Sequence, residues 1–145
     1  MSNILSDYNN GRSSNVLRRD LYTDLPINFK GVHPNLKDII ALKDIDAVKQ
    51  SVKNLILTNH GERPFQPEIG SNITRLLFEP ADTFTASAIS REVKAVLKRF
   101  EPRVTNITVQ VFDNSDRNAY SITIGFTVVF SDEAQEVNFY LQRLR

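Results

Sequence analysis

Residues 120–130 read Tyr-Ser-Ile-Thr-Ile-Gly-Phe-Thr-Val-Val-Phe, and this stretch decides the fold class. Tyr120, Ile122, Ile124, Phe126, Val128 and Phe130 fall at every second position. A strand turns successive side chains to opposite faces, so this unbroken period of two predicts a strand with one buried face and one polar face. Upstream, Ile107, Val109 and Val111 alternate with Thr108 and Gln110; downstream, Val137, Phe139 and Leu141 repeat the pattern. The polar runs DNSDRN (113–118) and SDEAQE (131–136) between them predict turns. The C-terminal part is therefore expected to be an antiparallel meander.

Ahead of the meander the period becomes helical. Ile45, Val48, Val52, Leu55 and Ile56 recur on one face of a predicted helix, with Asp44 as its N-cap and Asn59, His60 and Gly61 as its stop. Gly61 suits a left-handed position after a helix. RPFQPEIG (63–70) carries two prolines, which fix φ and remove backbone donors, so it is read as a stiff connector closed by Gly70. SNITRLLF (71–78) predicts a short helix capped by Ser71 or Asn72 and ended by Pro80. A second long helix is expected from near Thr85, with Ala86, Ile89, Val93, Val96, Leu97 and Phe100 on its apolar face. It must stop near Phe100, because Pro102 disfavours helical geometry at the residue before it. Helices laid on one face of a small antiparallel sheet make the expected class α+β.

Residues 1–40 are expected to form an N-terminal arm and irregular segment, with residues 41–145 as the folded domain. The first 20 residues are rich in Asn, Ser, Gly and Asp and too polar to order themselves. They are read either as a disordered terminus or as an arm that orders against a neighbour. Between Leu21 and Lys43, short apolar pieces broken by Pro26, Gly31 and Pro34 allow one short strand.

Composition narrows the function. The chain has 145 residues, 41% of them hydrophobic, and a formal charge of +1, so no global field draws it to nucleic acid or an anionic membrane. It has no cysteine, which excludes disulfides, thiolate metal sites and cysteine nucleophiles and fits a reducing cytosol. No apolar run approaches the roughly 18 residues of a spanning helix, and the polar N-terminus shows no secretory signal. Its 2 histidines, His33 and His60, lack metal-ligand spacing, and the 5 glycines make no phosphate loop. Glu62, Glu68, Glu79 and Glu101 lie near turns or element ends, and a pair of carboxylates is what glycoside hydrolysis needs. They are read as surface or capping carboxylates, because no separation between them is set by the sequence. No catalytic residue, cofactor or metal is expected.

Glu101-Pro102-Arg103 stands out at the end of the second long helix. A carboxylate there faces the negative end of the helix dipole and calls for a cation, for which Arg103 is the near candidate. Two readings stay open. One is an internal salt bridge bracing a rigid corner; the other is a Glu/Arg pair presented to a partner.

Three segments together resemble the small baseplate wedge proteins of contractile-tailed bacteriophages, the sheath-initiator family long labelled lysozyme-like, which has a counterpart in type VI secretion baseplates. They are the connector Asn59–Gly70 with its Gly61-Glu62-Arg63 and closing Gly70, the segment Leu76-Leu77-Phe78-Glu79, and Arg99–Val104 with the Glu-Pro-Arg motif. The likeness spans roughly residues 40–145. It implies a fold similar to the strand-exchanging domain of the tail sheath, and a non-enzymatic protein that templates the first sheath ring. It implies that Glu101, Pro102 and Arg103 face the helical core bundle of the wedge, with Gly61, Arg63, Pro64, Pro67 and Gly70 forming the family's connector. Implied partners are the other wedge proteins and the sheath, and possible ones are the tail tube or hub; sixfold copies are expected, with neither nucleic acid nor membrane. The expected location is the virion tail baseplate, assembled in the host cytoplasm. From the meander itself, the last strand is the candidate edge for a donated sheath strand, through Val137, Phe139, Leu141 and Arg143, while its basic ending, Arg143 and Arg145, is read equally as a guard against edge-to-edge aggregation. A soluble adaptor or inhibitor of similar fold, and a peptidoglycan-cleaving enzyme, are the alternatives.

Overall fold

The structure, a computed structural model, describes residues 20–27, 39–80, 82–114, 119–131 and 133–142. Its elements run β1 (Thr23–Asp24), β2 (Leu42–Lys43), α1 (Asp44–Leu57), α2 (Ile73–Leu76), α3 (Thr83–Phe100), β3 (Val104–Asn114), β4 (Ala119–Val128) and β5 (Ala134–Gln142). Strands β3, β4 and β5 form an antiparallel sheet in that order, with β4 central. β1 and β2 make a separate antiparallel ribbon. Helix α3 packs mainly on β3, and α1 and α2 pack against α3. The class is α+β, as the alternation and the helical periods predict.

The core is built from the faces read in the sequence. Tyr120, Ile122, Ile124, Phe126 and Val128 of β4 are all buried and meet Ile89, Val93, Val96 and Leu97 of α3 and Val48, Val52 and Ile56 of α1. Burying each such side chain contributes about 1.5–3 kcal/mol, so this one strand supplies a large share of the driving force. In β3, Val104 and Val109 both face inward although they are five residues apart. The register slips between Thr105 and Thr108, where Asn106 takes φ 52°. That β-bulge inserts one residue and resets which face points to the core.

Element ends differ from their expected places for local reasons. α1 has Lys43 rather than Asp44 at its N-cap, with no side-chain cap bond. Asp44 sits at φ 46° and turns back to the preceding chain. Its Oδ1 accepts from the backbone N–H of Leu21 (2.8 Å) and Tyr22 (3.3 Å), and its own N–H donates to the Tyr22 carbonyl (2.8 Å). The helix ends at Leu57, earlier than the Asn-His-Gly stop. Thr58 leaves the helical region, and its N–H and hydroxyl both donate to the Asn54 carbonyl. α2 holds only Ile73–Leu76, with Asn72 as N-cap but no cap bond from its side chain; Ser71 Oγ accepts from Ile73 N–H (3.5 Å) and donates to the Ile56 carbonyl (2.6 Å). α3 starts at Thr83, because Asp82 Oδ1 accepts from Thr85 N–H (2.7 Å). Thr83 and Phe84 of that first turn are exposed, so the apolar period begins after the helix does.

Residues 20–27, which the sequence reading places in the N-terminal arm, lie on α1. Gln50 holds them: its Nε2 donates to Asp24 Oδ2 (2.8 Å) and the Leu25 carbonyl (2.6 Å), and its Oε1 accepts from Ile27 N–H (3.1 Å). Residues 1–19 of the arm, and Phe29, Gly31, His33, Pro34 and Arg143, lie outside the described residues.

Candidate functional site

The Glu-Pro-Arg corner closes α3 onto β3. Glu101 N–H donates to the Leu97 carbonyl as the last helical bond, and Val104 N–H donates to the Glu101 carbonyl to make the turn. The Glu101 side chain points inward and is 3% exposed. Its Oε1 accepts from Arg103 Nε (2.5 Å), and its Oε2 accepts from Arg103 Nη2 (2.7 Å) and Ser51 Oγ of α1 (2.7 Å). The bidentate pair is thus tied to a second helix. Burial pushes the Glu101 carboxyl up, but the hydrogen bonds from Arg103 and Ser51 outweigh it and hold the group below its ordinary 4.5. Arg103 is raised in turn, first by its hydrogen bond to Glu101. Its guanidinium also lies 5.0 Å from the centre of the Tyr22 ring, and Tyr22 packs on Phe130 at 5.3 Å. Of the three motif residues, Pro102 is exposed, Arg103 is half-buried and Glu101 is interior. The internal brace is therefore present in the geometry. A Glu101 carboxyl kept ionised is also the wrong state for the general acid that glycoside hydrolysis requires.

The connector between α1 and α2 is stiff for reasons beyond its prolines. Gly61, at φ 84°, donates its N–H to the Pro67 carbonyl (2.9 Å), and Ile69 N–H donates to Gln66 (3.1 Å). Glu62 accepts from Asn59 N–H (2.9 Å) and Asn59 Nδ2 (2.7 Å), and these bonds lower its pKa. Gly70 is buried at φ 136°, and a Cβ there would lie 2.7 Å from the Thr58 carbonyl oxygen. Gly61 is a left-handed glycine as expected, but it serves this loop and not the helix cap. Arg63, Pro64 and Pro67 are exposed. Arg63 and Glu101 line one polar cleft of about 310 Å³, together with Asp24, Ser51 and Asn54. Connector and corner, far apart in the chain, therefore share a surface.

The third candidate is the sheet edge. Among the described residues β5 pairs with β4 alone, and no described strand lies along its other side. Val137, Phe139 and Leu141 point to the core, while Glu136, Asn138 and Tyr140 are exposed. A groove of about 840 Å³ runs between this edge and α1, lined by Ile40, Leu42, Leu57 and Val137 with Lys49 and Lys53 alongside. Ile40 and Leu57 are about half exposed.

The family model for baseplate wedge protein gp25 matches residues 43–133, from the start of α1 through β4. The chain belongs to the gp25 family of baseplate wedge proteins. Membership makes it a structural component of a baseplate wedge in a contractile injection machine. It is 28% identical over 106 residues to baseplate wedge protein gp25 of Enterobacteria phage T4, covering 72% of this chain and 80% of the phage protein. Two of the solved structures similar to this chain show the fold it shares. One is a crystal structure of a proposed tail lysozyme from Geobacter sulfurreducens (TM-score 0.63, 23% identity, 68% of this chain and 89% of that one). The other belongs to a type VI secretion baseplate complex (TM-score 0.53, 17% identity, 66% and 91%).

Within this gp25-family chain, the parts that sequence reasoning missed are the partners of the corner. Tyr22, Asp24, Gln50 and Ser51 belong to no motif in the sequence, and only Gln50 and Ser51 give a faint signal, as polar residues within an amphipathic helix. Among the described residues no group of His, Asp or Glu is arranged to hold a metal, and no helix is long and apolar enough to cross a membrane.

Proposed function

We propose that the chain docks on the helical core bundle of the baseplate wedge and offers the edge of β5 to the tail sheath, templating its first ring. The observation that carries this reading is the β5 edge, which has no further strand partner among the described residues, beside an apolar groove. A donated strand takes backbone hydrogen bonds from such an edge, and its alternate side chains settle in the groove, which sets register as well as affinity. The Glu-Pro-Arg corner braces the surface that faces the wedge. Copies in a sixfold ring at the virion baseplate, put together in the host cytoplasm before the sheath polymerises, complete the reading. The role is scaffolding, with no turnover of cell-wall substrate.

The chain has no native cysteine, which makes a single-site test clean. Asn138→Cys places a thiol on the exposed side of β5. Assembled with its baseplate and with sheath carrying single cysteines along one terminal arm, it is expected to cross-link at alternate sheath positions. Sheath that assembles on these baseplates without any cross-link at β5 sinks the strand-donation reading.

A further inference from the structure

We propose that the connector loop seats the chain on its wedge partner, with Phe65 filling an apolar pocket between partner helices and Arg63 pairing with a carboxylate at the pocket rim. The inference rests on the wedge-docking reading and names the contact it needs. Phe65 is 96% exposed. A lone exposed apolar residue is ordinary, but this one sits on a loop that is already immobilised. Pro64 and Pro67 bracket it, Gly61 N–H is bonded to Pro67, Gln66 N–H to Arg63, and the closing Gly70 has no room for a side chain. An aromatic held on such a loop loses little freedom on binding, which is what makes an efficient anchor. Phe78 and Phe84 are also exposed, at 64% and 73%. Neither has an unsatisfied guanidinium two residues away.

Arg63 supplies the charge argument. Its guanidinium is exposed and has no hydrogen bond or ion pair among the described residues. Arg103, by contrast, commits two donors to Glu101 and its face to Tyr22. The cation available to a partner on this surface is therefore Arg63, and its complement is an Asp or Glu on the partner. Arg63 lines the same cleft as Glu101, so the braced corner and the loop form one continuous face.

The test co-expresses the full chain with the wedge proteins of its own tail and measures capture and affinity. Phe65→Ala and Arg63→Glu are each expected to weaken wedge binding by about thirty-fold or more, the scale of an interface hot spot, with Tm unchanged. Arg63→Lys is expected to lose less. A photoreactive phenylalanine at position 65 is expected to cross-link to a helical wedge component beside an acidic residue. Wild-type affinity in both Phe65→Ala and Arg63→Glu overturns the inference while leaving wedge docking intact. So does a Tm loss that tracks the binding loss, because the loop is then structural only. If the wild type itself captures no wedge protein, the docking reading falls and this inference with it.

Discussion

Arg103 and Glu101 illustrate how far a residue's role depends on what surrounds it. The carboxylate is nearly inaccessible, and its oxygens are occupied by Arg103 and Ser51. Arg103→Ala leaves an ionised group under the surface with one hydroxyl donor, which is expected to cost roughly 2–4 kcal/mol. Urea denaturation reads this directly, and a loss below 0.5 kcal/mol, the scale of an exposed pair, denies the brace. The same pair makes stability pH-dependent. The folded pKa of Glu101 lies below its ordinary 4.5, so its contribution is complete above that value and is lost as the pH falls through the lower folded one. Wild type and Glu101→Gln are expected to differ most in stability near neutrality and to converge as the solution is acidified below 4.5. Parallel curves across that range rule out the linkage.

At the scale of elements, the connector separates two kinds of glycine. Gly61 needs only its positive φ, for a Cβ there meets nothing within 4 Å, whereas Gly70 combines φ 136° with a clash against the Thr58 carbonyl. Gly61→Ala is expected to cost about 1 kcal/mol and Gly70→Ala about 2–3 kcal/mol. For a chain of this size that is a Tm drop of about 3–4 °C against about 6–10 °C, read by thermal melting. Equal drops mean that the loop closure is not what holds the connector. The period of the apolar positions placed both long helices and the faces of β4 and β5. Their ends escaped it, because hydrogen bonds not encoded in the period decide ends: the Asp82 cap on Thr85, Thr58 on Asn54, and Asp44 on Leu21 and Tyr22.

Across the whole molecule, residues 20–27 are held by the β1–β2 ribbon, by Tyr22 packed on Phe130 and Arg103, and by side-chain bonds from α1. Gln50 makes three bonds to them and Asp44 two more through its carboxylate. Gln50→Ala is expected to release this segment without unfolding the sheet. Amide exchange at Leu21–Ile27 should rise well above that of β4, while the global unfolding free energy falls by only about 1–2 kcal/mol. Loss of protection in both at once means that the segment is an integral part of the domain. Tyr22 stacks on the Arg103 guanidinium, so the same variant reports whether docking of this segment stiffens the corner.

The sequence by itself determined the α+β class, the order of helices and meander, and the buried faces, because a period of two or of 3.6 leaves only one face able to desolvate. It also carried the motifs of the gp25 family, whose spacing along the chain survives without coordinates. Only the tertiary structure decided that Glu101 is interior and Arg103 engaged with it. Only there do Arg63 and Glu101 share a cleft, and only there does the bulge at Thr105–Thr108 bring Val104 to the core face. The physical reason is range: periodicity is a property of neighbours along the chain, whereas burial and charge pairing depend on residues that the fold brings together from far apart.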